Sequence, residues 1–314
     1  MKLSIVIPCF NCEKNIGRLL DVLFKQTTDK LEVILINDGS QDRTGSIISA
    51  FIEQHRLYNF KLYEISNSGA AKARQTGLDK SSGKYVFFCD SDDLIIEDFV
   101  TAILQRAESN PDIIYFSSEI VSSNNASEKI SDKVRFNENV DFDNPDEFLR
   151  FQLSRGAWTA AVWTYAFRRD LVQKSNAYFT PRSVHEDHLF SLRLLGNAKK
   201  ITALKQTLYL QKYTLGSLTN SKKNTVYLAE RYRAFIEARD DMRDYFTDAT
   251  IQLYENWSIT SFISLCKSNP GIVLSGLLYK NTYSAAWNSK SIFCRLVKNK
   301  KLKITATIKR KAIK

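Results

Sequence analysis

The chain has 314 residues and a formal charge of +11, with 44% of its residues apolar and 25% charged. That length can bury a sizeable core, as one large domain or a domain with additions, and the apolar share is that of an ordinary globular protein. No uncharged apolar run approaches the ~20 residues of a membrane-spanning helix, so the chain is expected to be soluble or peripheral, and the excess of positive charge points to anionic partners: nucleotides, nucleic acid or a membrane surface.

The opening MKLSIVIPCF enters directly into a strand-like run, with too short an apolar stretch and no small-residue cleavage pattern for a signal peptide. Residues 3–7 read as a buried strand, Pro8 to Asn11 as a loop, and IGRLLDVLFKQ as a helix. LEVILIND repeats the pattern, ends in Asn37, Asp38, Gly39 and Ser40, and is followed by a helix through TGSIISAFIEQH. FKLYEIS is a third strand, GAAKARQTGLDKS a helix, and KYVFFCD a fourth strand. Strands alternating with helices predict an α/β fold built on a parallel sheet with right-handed crossovers, and in such sheets ligands bind beyond the carboxyl ends of the strands.

Asp90, Asp92 and Asp93 crowd three carboxylates into four positions just after the fourth strand. Aspartate is a poor strand former and like charges repel, so the cluster needs a reason. One is structural: Ser91, Asp92 or Asp93 caps a helix beginning near Leu94. The other is a hard-cation site, in which the carboxylates hold Mg2+ or Mn2+ and the cation holds phosphates. Placement at the ligand edge, beside Pro8 to Asn11 and Asp38, favours the cation.

Further along, DFVTAILQRAE reads as a helix, a strand resumes after Pro111, and polar residues 121–140 read as an excursion or hairpin. Asn144 and Pro145 mark a helix start. From about 221 the chain turns helical, with Leu228, Tyr232, Phe235 and Ile236 sharing a face. The five cysteines, Cys9, Cys12, Cys89, Cys266 and Cys294, have no repeated spacing. Cys9 and Cys12 lack the second pair or histidines of a zinc site, so they read as reduced core residues in a cytoplasmic setting.

SIVIPCFN, INDGSQDRT, NSGAAKARQTGL, GKYVFFCDSDDL and HEDHLF, in that order, resemble the motifs of glycosyltransferase family 2, over about the first 220 residues. The resemblance implies a GT-A fold, Rossmann-like with a mostly parallel sheet flanked by helices, and inverting sugar transfer from a nucleotide diphosphate sugar to a hydroxyl. By the same resemblance Pro8, Phe10 and Asn11 border the nucleotide, Asp38 meets the base, and Arg74 lies near the nucleotide, although Gln75 stands where Asn is common. Asp90 approaches the ribose and Asp92 ligates the Mn2+ or Mg2+, with Asp93 assisting or capping the next helix. Asp187 is implied as general base, with Glu186 orienting it or the acceptor. Tyr209, Lys212 and Ser217 match a downstream segment in which Lys212 neutralises the diphosphate, an exposed edge strand being the plain alternative. His185 and His188 have ligand spacing, but a phosphate-bridging cation prefers oxygen. Trp158, Trp163, Tyr165 and Phe167 line the acceptor side or pack the core; Tyr165 replaces a common lysine.

The organisation expected is a nucleotide-sugar half over 1–119, an acceptor and base half over 120–220, and a helical, basic extension over 221–314. The last 25 residues carry ten basic and no acidic side chains, interleaved with Ile292, Phe293, Leu296 and Val297 at helical spacing, which predicts attachment to an anionic membrane surface. Nucleic acid is not expected, because no stacking platform or recognised module accompanies the charge. The implied acceptor is a glycan or lipid-linked glycan of the bacterial surface, handled without processivity since Q-x-x-R-W is absent, at the cytoplasmic face of the inner membrane. Transfer to polyprenyl phosphate, and an inactive nucleotide-sugar-binding scaffold, are the alternatives.

Overall fold

The computed structural model describes residues 2–123, 125–213 and 223–268. Its first half follows the predicted alternation. Strands β1 (Leu3–Cys9), β2 (Leu31–Asp38), β3 (Phe60–Ile65) and β4 (Tyr85–Phe88) alternate with helices α1 (Ile16–Lys25), α2 (Thr44–His55) and α3 (Ala70–Lys80). They lie in the order β3-β2-β1-β4, all parallel. Every residue of β2 is buried, as continuous apolar strands are when helices cover both sheet faces. Helix α3 sits unusually close to this sheet. A Cβ added at Gly77 would lie 2.1 Å from Val6 Cγ1 and 3.3 Å from Ile36 Cγ1, so only hydrogen fits there.

The second half changes direction. After β5 (Leu94–Ile95) and α4 (Phe99–Ala107) come β6 (Ile113–Ser122), β7 (Lys129–Val134), β8 (Val140–Phe142), α5 (Pro145–Ser154), β9 (Tyr165–Arg168), α6 (Asp170–Ser175), α7 (His188–Asn197) and β10 (Ile201–Tyr213). The sheet continues β4-β9-β6-β10-β5, giving ten strands among the described residues once β7 and β8 are added. Strand β9 runs against both β4 and β6, while β6 and β10 are parallel to each other. Strands β6 and β10 therefore point the same way as β1 to β4, and their carboxyl ends reach the same edge. The sheet is mostly parallel and flanked by helices, the GT-A architecture.

Three expectations sharpen or change. The polar excursion is a hairpin in which β7 pairs antiparallel with β6. Leu94 begins no helix: it lies in β5 and pairs with Leu210 of β10, and α4 starts only at Phe99 behind Asp98, so the acidic cluster is not a cap. Strand β10 is not an exposed edge, since it lies between β6 and β5 with Tyr209 fully buried. The Asn144 cap is present; its Oδ1 accepts from the Asp146 backbone N–H at 2.8 Å, with Pro145 in the first turn.

Helices α8 (Thr225–Asp241) and α9 (Asp248–Ser268) follow. The chain divides into two units, Met1–Ser221 with Glu230–Glu255, and Lys222–Ala229 with Asn256–Lys314. Ser217 and the basic tail with Ile292, Phe293, Leu296 and Val297 lie outside the described residues. Among the described residues no helix is long and apolar enough to cross a membrane.

Candidate active site

Loops leaving β1, β2, β3 and β4 are tied to one another before any ligand is considered. Asn11, in the left-handed region at φ 48°, donates its backbone N–H to Ser40 Oγ at 3.0 Å and accepts the Gln41 N–H on Oδ1 at 2.8 Å. This leaves Phe10 half-exposed and Pro8 partly buried at the rim. Gly39 (φ 68°) packs against the next loop so closely that a Cβ would lie 2.7 Å from the Asn67 nitrogen. The Asp38 carboxylate is buried at the end of β2, where it accepts the backbone N–H groups of Ser68 at 2.7 Å and Gly69 at 2.8 Å. Its carboxylate therefore anchors the entry to α3.

Arg74, on α3, joins the two acidic motifs. One terminal nitrogen donates to Asp90 Oδ1 at 2.9 Å and the other to Glu186 Oε1 at 2.6 Å, across 16 and 112 residues of sequence. Burial disfavours its charge, but Asp90, Glu186 and Asp187 together push its pKa upward. The planar guanidinium suits this fork, and its Nε is buried without a partner.

The acidic loop divides its labour. Asp93 is buried, accepting the Tyr209 hydroxyl on Oδ2 at 2.7 Å and the Lys212 backbone N–H on Oδ1 at 2.8 Å. Burial, then Asp92 and Asp90, raise its pKa well above the usual carboxylate range. Tyr209 also accepts the Asp90 backbone N–H at 3.3 Å and stacks on Trp163, with centroids 4.7 Å apart. Asp93 thus fastens the loop to β10. Asp92 is half-buried, and its pKa is raised by burial and by Asp90, with its own backbone N–H and Lys212 easing it. Burial lowers the pKa of Lys212 itself, with Arg18 adding to the effect.

No group of three or more His, Cys, Asp or Glu side chains among the described residues could hold a metal ion by itself. A phosphate-bridging cation asks for less. The oxygen chemistry of Asp90 and Asp92, with a carboxylate short of compensating charge, fits Mg2+ or Mn2+, for which these two side chains would supply part of an oxygen ligand set.

The second acidic pair precedes α7. His185 adopts φ 59°, a sharp left-handed step that turns the chain into Glu186 and Asp187. The Glu186 carbonyl accepts the Thr180 N–H at 3.0 Å, which holds the turn. Burial, then repulsion from Glu186, raise the Asp187 pKa to about 7, against the opposing pull of Arg74. His188 points elsewhere: its Nε2 pairs with the Tyr254 hydroxyl at 2.6 Å beside the Trp158 ring, and burial lowers its pKa to about 3. It supports the wall behind the site. Trp158, Trp163, Tyr165 and Phe167 are all buried, so they pack the core, Tyr165 bonding Ser191 Oγ at 2.7 Å.

Sequence reasoning missed Lys133 and Arg182. Lys133, in β7, lies in the electrostatic field of Asp187. Arg182 ties the loop ahead of Glu186 to Glu230 and Glu237 of α8. Both come from segments without periodicity, and their sequence carries no signal for the placement.

Comparison with known proteins agrees with this architecture. Residues 4–174 match the family described as Glycosyl transferase family 2. The chain is 30% identical over 225 residues to the uncharacterized glycosyltransferase YibD of Escherichia coli K12, covering 70% of this chain and 63% of that protein. It is 29% identical over 214 residues to the poly(ribitol-phosphate) beta-N-acetylglucosaminyltransferase TarS of Staphylococcus aureus, covering 67% of this chain and 35% of that one. The match thus spans less than two thirds of these relatives' length. The crystal structure of S. aureus TarS 1–349 in complex with UDP-GlcNAc superposes with a TM-score of 0.66 over 86% of this chain and 73% of that one, at 21% identity, a likeness of fold. With the ordered motifs gathered at one sheet edge and the family match running through more than half of the sequence, the chain belongs to glycosyltransferase family 2.

Proposed function

We propose that the chain is a metal-dependent, inverting, non-processive glycosyltransferase that moves a sugar from a uridine diphosphate donor to a hydroxyl of a bacterial surface glycan or its lipid-linked precursor. The observation carrying this reading is the Arg74 fork, because it joins the loop of Asp90 and Asp92 to the Glu186–Asp187 pair in one site. TarS structures with UDP and with UDP-GlcNAc support the choice of donor base. The inactive-scaffold alternative is disfavoured by a carboxylate held near neutrality where a base is needed.

In this reading Pro8, Phe10, Asn11 and Asp38 border the nucleoside, and Lys212 offsets diphosphate charge. Asp92 foremost, with Asp90, would hold the Mg2+ or Mn2+, which as a Lewis acid stabilises charge on the departing diphosphate. Asp187 accepts the proton of the acceptor hydroxyl; the hydroxyl oxygen bonds to the anomeric carbon as the bond to the diphosphate breaks on the opposite face, inverting the centre. Burial raises the Asp187 pKa, and Glu186, held by Arg74, adds to the rise by repulsion.

Thermal melting tests the donor half. The wild-type melting temperature should rise with UDP plus Mn2+ beyond the rise with either alone, since ligands of the native state stabilise it. Asp92→Ala should melt cooperatively and lose the metal-dependent part. A folded Asp92→Ala protein with the full metal-dependent shift would overturn the assignment.

A further inference from the structure

The hairpin of β6 and β7 and its flank carry cations with ion-pair partners and one without. Lys129 pairs with Glu119 at 2.8 Å and Asp132 at 2.6 Å, and Arg135 with Asp132 at 3.4 Å. Lys133 has neither an ion pair nor a hydrogen-bond acceptor for its ammonium among the described residues, and its Nζ lies 5.9 Å from the centroid of Trp163, the ring that stacks on Tyr209. It is only partly exposed. Burial lowers its pKa while Asp187 pulls the other way, so the ammonium is within electrostatic reach of that carboxylate. A shielded charge with no counter-ion is costly, and a ligand that brings one removes the cost.

Any hydroxyl that Asp187 deprotonates must come within hydrogen-bond reach of it, so the atoms around that hydroxyl fall in the field of Lys133. The donor diphosphate has its own cation elsewhere in that reading, Lys212, while Arg74 is committed to Asp90 and Glu186. An ammonium is a compact charge with three donors and no acceptor, suited to an oxyanion. We propose that Lys133 forms a subsite for an anionic group of the acceptor, a phosphate or a carboxylate, beside the hydroxyl that reacts. The inference rests on the glycosyltransferase reading above.

Calorimetric titration of the full chain, saturated with UDP and Mg2+, tests it with sn-glycerol 3-phosphate, glucuronate and neutral glucose as probes. At least one anion should bind wild type, roughly tenfold or more weakly to Lys133→Gln, the cost of one charge-assisted contact, and within about threefold to Lys133→Arg. Binding of the phosphate alone assigns a phosphorylated acceptor, and of the glucuronate alone an acidic sugar. UDP affinity should be equal in all three proteins, which also shows the variants are folded; Lys133→Met replaces Gln should Gln not fold. Equal anion affinity in wild type and Lys133→Gln, or no anion bound by wild type at the highest soluble concentration, overturns the subsite. Failure of wild type to bind UDP overturns the enzymatic reading instead.

Discussion

A carboxylate that titrates near neutrality is a base at the pH of a cell, and burial beside Glu186 moves Asp187 there. Transfer should therefore rise with pH through about 7 and level off above it. Asp187→Asn should keep UDP affinity and lose roughly 10² to 10⁴ of the rate, the usual span for a general base. An unchanged rate on a hydroxyl acceptor would place the base elsewhere, and rapid transfer to polyprenyl phosphate by the variant would favour that acceptor. The same shift has a stability sign. The folded pKa, about 7, lies above the ordinary 3.8, so the associated stability is complete below about pH 4 and lost as pH rises through 7. Asp187→Asn should therefore melt above wild type at about pH 8 and converge with it at about pH 4. At this scale the sequence was partly legible. The acidic triplet and HEDHLF were visible as motifs, but that Asp93, rather than Asp92, serves β10 through Tyr209 depends on a contact across 116 residues.

At the scale of elements, the site depends on how closely α3 seats on the sheet. Gly77 is the point of closest approach, with Val6 Cγ1 2.1 Å from where a Cβ would stand. Helical propensity alone favours alanine over glycine by about 1 kcal/mol, but overpacking costs about 1–3 kcal/mol and here it wins. Gly77→Ala should lower stability on urea denaturation and also weaken UDP binding, because lifting α3 moves Arg74 from Asp90 and Glu186. A variant as stable as wild type would mean that Val6 repacks freely. Alternating strands and helices through α3 were readable from periodicity, and the bounds of α2 match its sequence pattern residue for residue. Strand β10 was not, because a run such as LYLQKY is equally compatible with an edge and an interior strand until its neighbours are known.

Over the whole molecule, charge is the property with most left to test. The tail that follows Ser289 concentrates ten cations among apolar residues, and we propose that it holds the enzyme at an anionic cytoplasmic membrane face, each engaged Lys or Arg contributing about 1 kcal/mol. The full chain should co-sediment with phosphatidylserine vesicles at low salt and be released by high salt, whereas a chain ending at Ser289 should stay in solution. Equal sedimentation of the two would remove the tail as anchor. What the sequence by itself determined is the α/β class, the family, and the list of loops that end at one sheet edge, because periodicity and ordered motifs are local properties. Only the tertiary structure decided that β9 enters the sheet reversed, that Arg74 spans both acidic motifs, that Asp93 is structural, and that Lys133 shares the field of Asp187. Each of these is a meeting of residues distant along the chain, set by packing and burial, and local pattern carries no record of them.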